Sequence, residues 1–166
     1  MTIIAGLGNP TNEYNGTRHN VGFETIGVLA SAWNMPVDKK EARSLTGKGY
    51  FRSEKIILCK PQTFMNLSGE SIGVLSEYYR VPTDNIIVIC DDVNLPLGQL
   101  RIKPRGSAGG HNGLKNIIAR LGTEEFTRVR IGVGEKPLDM DLADYVLSRF
   151  NKDEEPVIRD AIKRAA

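Results

Sequence analysis

Ile86-Ile87-Val88-Ile89-Cys90-Asp91-Asp92 decides the fold: an unbroken apolar run, β-branched in its first four residues, that ends on two carboxylates. A strand apolar at every position, and not only at alternate ones, has both faces covered, as in the middle of a parallel sheet flanked by helices. Working outward, Ile3 to Gly6 reads as a second short apolar strand. Ser44 to Arg52 and Lys55 to Lys60 read as a hairpin turning at Ser53-Glu54, and Gln99 to Lys103 and Thr127 to Gly134 as two more strands. Helical spacing joins Phe23, Ile26, Ala30 and Trp33, with Asn20 as the expected cap and Asn34 and Pro36 as the stop. It also joins Ile72, Leu75 and Tyr79, ended at Val81-Pro82. A third helix covers Asn112 to Leu121 with Gly122 as its stop. A fourth follows an Asn151-x-x-Glu154 cap and carries Val157, Ile158, Ala161, Ile162 and Ala165. The alternation predicts one α/β domain over residues 1–166, a mixed, mostly parallel twisted sheet flanked by helices.

Composition agrees with one core: 166 residues, 40% of them hydrophobic. The chain starts Met1-Thr2-Ile3-Ile4 with no basic leader and an apolar run too short for a signal peptide or membrane span, so a cytoplasmic protein is expected. Cys59 and Cys90 close apolar runs without metal spacing and are expected to be reduced and buried. Net charge is only +2, yet from Arg101 to Arg130 seven basic side chains face two acids. Such clustering beside a glycine-rich loop suits a polyanion, such as a nucleic-acid backbone.

Several familiar motifs fail on context. Gly6-Leu7-Gly8 follows a strand, but Thr11 stands where a dinucleotide fingerprint needs its third glycine, and Pro10 delays any helix. The Gly106 to Gly113 loop lacks the Gly-Lys-Ser/Thr ending of a triphosphate loop. There is no His-x-x-x-His or Cys-x-x-Cys pair, so no metal is expected. Gly69-Glu70-Ser71-Ile72-Gly73 matches the serine-hydrolase pattern, with Asp91 and His111 following in order. That nucleophile must stand on a sharp strand-to-helix turn, whereas Ser71 falls inside a predicted helix, so a Ser71 esterase is only the alternative.

A better constellation needs no side-chain nucleophile. The chain has just two histidines, His19 and His111, each followed by asparagine and then closely by glycine. Histidine's unperturbed pKa of about 6.5 suits proton transfer near neutrality. A carboxylate of the Asp91-Asp92 pair would fix the tautomer of one imidazole, leaving its other nitrogen to take a proton from water. Asn9, Asn66 and Asn112, on separate loops, would supply amides for peptide groups or an oxyanion.

Six strings, in order, resemble bacterial-type peptidyl-tRNA hydrolases: GLGNP at Gly6, EYNGTRHNVG at Glu13, KPQTFMNLSG at Lys60, DDVNLPLGQLRIK at Asp91, GSAGGHNGLKNI at Gly106 and RVRIGVG at Arg128. The resemblance implies cleavage of the ester joining a peptide to the terminal ribose of tRNA, by a monomer with no metal or other cofactor. It implies His19 as general base and Asp91 as the carboxylate that orients it. Asn9 and Asn66 would hold the peptide, Met65 would line the site, and Asn112 would position water or the oxyanion. Tyr14 would lie against the tRNA end and His111 would support the site nearby. Arg101, Lys103, Arg105 and Arg130 would bind tRNA phosphates. Asn94 stands where the family usually has a further acid, and the chain ends at Ala166, short of the family's C-terminal helical region. A tRNA-binding module of the same fold without turnover is the second alternative.

Overall fold

The computed structural model describes every residue from Met1 to Ala166. Seven strands form one sheet: β1 (Thr2–Gly6), β2 (Lys39–Glu41), β3 (Ser44–Phe51), β4 (Glu54–Pro61), β5 (Ile86–Asp92), β6 (Leu100–Lys103) and β7 (Thr127–Gly132). Their order is β2-β3-β4-β1-β5-β7-β6. The inner pairs β4/β1, β1/β5 and β5/β7 are parallel, and the outer pairs β2/β3, β3/β4 and β6/β7 are antiparallel. The expected mixed sheet is therefore parallel at its centre, where the continuous apolar strands lie, and antiparallel at its edges.

The pleat of β5 sorts its residues between two cores. Ile86, Val88 and Cys90 pack on one face with Ile72 and Leu75 of α2 (Ser68–Tyr79) and Leu114 and Ile117 of α3 (Asn112–Leu121). Ile89 packs on the other with Val21, Ile26 and Leu29 of α1 (Val21–Ala32) and Ile158, Ala161 and Ile162 of the C-terminal helix. Each of the Ile, Leu and Val side chains among them, fully buried, contributes roughly 1.5–3 kcal/mol.

Close backbone contacts explain two of the misleading glycine motifs. Where α1 crosses the end of β1, a Cβ on Gly6 would stand 2.1 Å from the Gly22 carbonyl oxygen, so Gly6 serves packing. Along α2, a Cβ on Gly69 would meet the Asn116 carbonyl oxygen at 2.5 Å and one on Gly73 the Arg120 Cγ at 2.6 Å. Gly69 and Gly73 thus let α2 lie against α3. Ser71 between them is wholly buried within α2, and its hydroxyl has no hydrogen-bond partner.

Some local expectations shift. The hairpin turns at Arg52-Ser53, both at positive φ, one residue earlier than expected, with Phe51 paired to Glu54. Strand β2, made of the exposed Lys39 and Lys40 and the half-buried Glu41, and the short helix α4 (Leu142–Val146) carry no clear apolar period. Asn151 and Glu154 form the expected reciprocal cap, each accepting the other's backbone N–H at 2.9 Å ahead of α5 (Glu155–Ala165).

Candidate active site

The apolar run of β5 delivers Asp91 to the carboxyl end of the sheet, the end at which open α/β sheets bind ligands. Its carboxylate is nearly sealed from solvent and accepts from two imidazoles. His19 Nδ1 lies 2.8 Å from both Asp91 oxygens, and His111 Nε2 lies 2.9 Å from Oδ1. Burial alone would raise the Asp91 pKa, but the two imidazoles, His19 foremost, hold it well below the usual carboxylate range. The ionised carboxylate can only accept, so both facing ring nitrogens carry hydrogen. His111 caps α3, its Nδ1 accepting the Leu114 N–H at 3.2 Å, which fixes its proton on Nε2. Neutral His19 with hydrogen on Nδ1 keeps a lone pair on Nε2.

Of the two adjacent carboxylates, Asp92 has other work. It accepts the Asn94 N–H at 2.8 Å and lies 3.5 Å from Arg130 Nη1, shaping the loop after the strand. Although the histidines are far apart in sequence, ligand atoms of His19, Asp91 and His111 come within 4.8 Å of one another. A metal on His111 Nε2 would need the ring proton moved to Nδ1, where Leu114 already donates. This donor set is built around hydrogen bonds.

Asn9 is held at three points. Its backbone N–H donates to Asn20 Oδ1 at 2.8 Å, its carbonyl accepts from Asn20 Nδ2 at 3.0 Å, and its own Oδ1 accepts the Met65 N–H at 2.8 Å. The Asn9 Nδ2 makes no hydrogen bond within the chain. Asn20 is not the expected side-chain cap of α1; its carboxamide instead pairs with the Asn9 peptide as a neighbouring strand would. Sequence reading missed this role, because a cap and a bracket ask for the same residue type.

Two clefts meet at His19. One, of about 260 Å³, is lined by Asp92, Asn94, Gly109, Gly110, His111 and Arg130. The other, of about 410 Å³, is lined by Asn9, Tyr14, Phe64, Met65, Asn66 and Leu147. His19, Asn112, Ala143 and Val146 border both, so α4 stands between them. Asn66 and Asn112 are exposed, whereas Met65 is buried. The Tyr14 ring meets Phe64 edge-on at 6.2 Å.

Buried Arg18, the residue before His19, is the other feature absent from the sequence reading. Its guanidinium lies over the Tyr145 and Phe150 rings at 4.5 and 4.7 Å and pairs with Glu154 at 3.0 Å. It thereby ties the segment that carries His19 to α4 and the start of α5. The basic segment divides in a way the charge count could not foresee. Arg101 and Lys103 lie exposed on β6, in register with Arg130 and Arg128 of β7, and Arg105 is exposed beyond them. Arg128 is wholly buried, and both it and Arg130 donate to the Ser107 carbonyl, at 3.0 and 2.8 Å.

A family model described as peptidyl-tRNA hydrolase matches residues 3–166. The chain belongs to the peptidyl-tRNA hydrolase family. It is 58% identical to the peptidyl-tRNA hydrolase of Lachnoclostridium phytofermentans over all 166 residues, covering 87% of that relative. With the peptidyl-tRNA hydrolase of Caldanaerobacter subterraneus it shares 52% identity, covering 89% of that relative. The solved peptidyl-tRNA hydrolase of Acinetobacter baumannii superposes with a TM-score of 0.93 at 32% identity, over 98% of this chain and 83% of that one. Ser71, wholly buried within α2 and away from any strand-to-helix turn, does not fit the serine-esterase alternative.

Proposed function

We propose that this chain hydrolyses peptidyl-tRNA, releasing peptide and tRNA, with water activated by His19. The observation that carries the mechanism is the 2.8 Å contact of His19 Nδ1 with the buried Asp91 carboxylate, which leaves Nε2 at the junction of the two clefts. His19 Nε2 takes a proton from water as the water oxygen bonds to the ester carbonyl carbon. Asp91 steadies the resulting imidazolium. The carbonyl oxygen gains charge, which the Asn112 amide stabilises. The carbon–oxygen bond to the ribose then breaks, and the imidazolium returns the proton to the departing ribose oxygen. Asn9 and Asn66 hold the peptide in the larger cleft, Met65 supports them from beneath, and Tyr14 lies toward the tRNA end. His111 is a positioning residue on Asp91.

Arg101, Lys103 and Arg105, with Arg130 at the rim of the smaller cleft, take the phosphate backbone. No helix is long and apolar enough to cross a membrane. In this reading the protein acts as a monomer in the cytoplasm, with no cofactor. The test is single-turnover cleavage of N-acetylated aminoacyl-tRNA. His19→Ala lowers kcat about 10²- to 10⁴-fold with substrate binding kept, and Asp91→Asn lowers it by less. Near-normal kcat in His19→Ala overturns the mechanism, and no cleavage by the intact chain favours the binding module.

A further inference from the structure

Phe64 has a backbone conformation that side chains avoid: φ 62°, ψ 160°. Glycine adopts this region freely, and other residues persist in it only where the surroundings hold them there. Its carbonyl is pinned by the Leu67 N–H at 3.2 Å, and the next residue's N–H is committed to Asn9. Burial does not account for an aromatic residue at this position, since Phe64 is 45% exposed. Its ring forms part of the cleft that holds His19 and the Asn9 amide.

That cleft has two chemistries. Asn9 and Asn66 offer amides, while Phe64, Val146 and Leu147 offer an apolar wall. Main-chain groups suit the first and an apolar side chain the second. The smaller cleft, with Arg130, Asn94 and paired glycines, suits ribose and phosphate better. Resting on the assignment of the larger cleft to the peptide, we propose that Phe64 is a specificity residue. Its ring packs on the side chain of the residue whose carbonyl is esterified, and favours large apolar side chains there. The strained backbone is what turns the ring into the cleft.

The test uses N-acetyl-phenylalanyl and N-acetyl-glycyl esters charged on the same tRNA, with the full chain and its Phe64→Gly, Phe64→Ala and Phe64→Tyr variants. The wild type prefers the phenylalanyl ester in kcat/KM by about tenfold or more, the scale of an apolar side-chain pocket. Phe64→Gly removes the ring while suiting the backbone. It loses most of that preference through the phenylalanyl ester alone, and Phe64→Tyr keeps it. Phe64→Gly also melts at a higher temperature than Phe64→Ala, which loses the ring but keeps the strain. Three results overturn the proposal: no preference in the wild type, an equal loss for both esters, or Phe64→Ala at least as stable as Phe64→Gly. Cleavage of neither ester by the wild type overturns it together with the peptidyl-tRNA reading.

Discussion

Asn20→Asp keeps the shape of a buried side chain and changes one donor into an acceptor. Oδ1 still accepts the Asn9 N–H, but the second contact, Nδ2 to the Asn9 carbonyl at 3.0 Å, becomes oxygen against oxygen. Losing that hydrogen bond costs about 1 kcal/mol, and leaving the carbonyl unpaired beside a buried charge adds about 1–3, for a total of about 2–4 kcal/mol at pH 7. For a domain of this size the melting point falls by about 5–15 °C. The pH dependence has a definite sign. The folded site disfavours the ionised acid, so the introduced carboxyl has a folded pKa above its unfolded value of about 3.9. The penalty is complete above the folded value and shrinks as pH falls toward the unfolded one, where a protonated carboxyl donates to the Asn9 carbonyl. Urea denaturation of both proteins at pH 7 and pH 4 measures this difference. A deficit under about 0.5 kcal/mol at pH 7, or one equal at both pH values, refutes the bracket role.

Neutralising Arg101, Lys103 and Arg105 together raises KM and lowers the slope of log affinity against log salt by about 0.7–0.9 for each phosphate that is no longer neutralised; binding titrations at several salt concentrations check this, and an unchanged slope makes the segment a solvated edge. These three are preferred to Arg130, whose replacement would also release Ser107 and Asp92. N-acetylated aminoacyl-tRNA is cleaved and free aminoacyl-tRNA largely spared, because a charged amino group cannot replace the peptide group proposed to pair with the Asn9 and Asn66 amides; equal rates remove both asparagines from recognition. Burial pushes the Cys59 thiol up to about 12 and raises that of Cys90 as well, so a thiol reagent labels neither cysteine in the native protein and both after denaturation.

The fold was legible where side-chain pattern and environment coincide. β5 is apolar from Ile86 to Cys90 because both of its faces are buried, and Asp91-Asp92 end it because the strand stops at the site. Strand β2 was not legible, since its three residues pair at an exposed edge where burial imposes no alternation. Glycine motifs misled for a related reason: a glycine needed for close packing, such as Gly69 against Asn116, looks in sequence like one needed for a sharp turn. The residues alone point to His19 and the Asp91-Asp92 pair and the family resemblance singles out Asp91, but why Asp92 stands apart depends on Arg130 and Asn94 arriving at it. Asn20 and Arg18 act across distances in sequence that no local period records. Arg128 counted toward the charge of a segment whose outer surface it never reaches.

The Leu114 N–H on His111 Nδ1 has an electrical consequence. In the proposed mechanism, starting from one ring proton on each imidazole, Asp91 and the two imidazoles together carry one negative charge before reaction and none once His19 has accepted the water proton. The substrate's carbonyl oxygen acquires a negative charge in the same step. Charge is relocated over a few ångströms inside a sheltered pocket, with no net ion created there. Dissolved salt, which screens exposed charges over about 8–10 Å, therefore acts on the arrival of the tRNA far more than on the breaking of its ester.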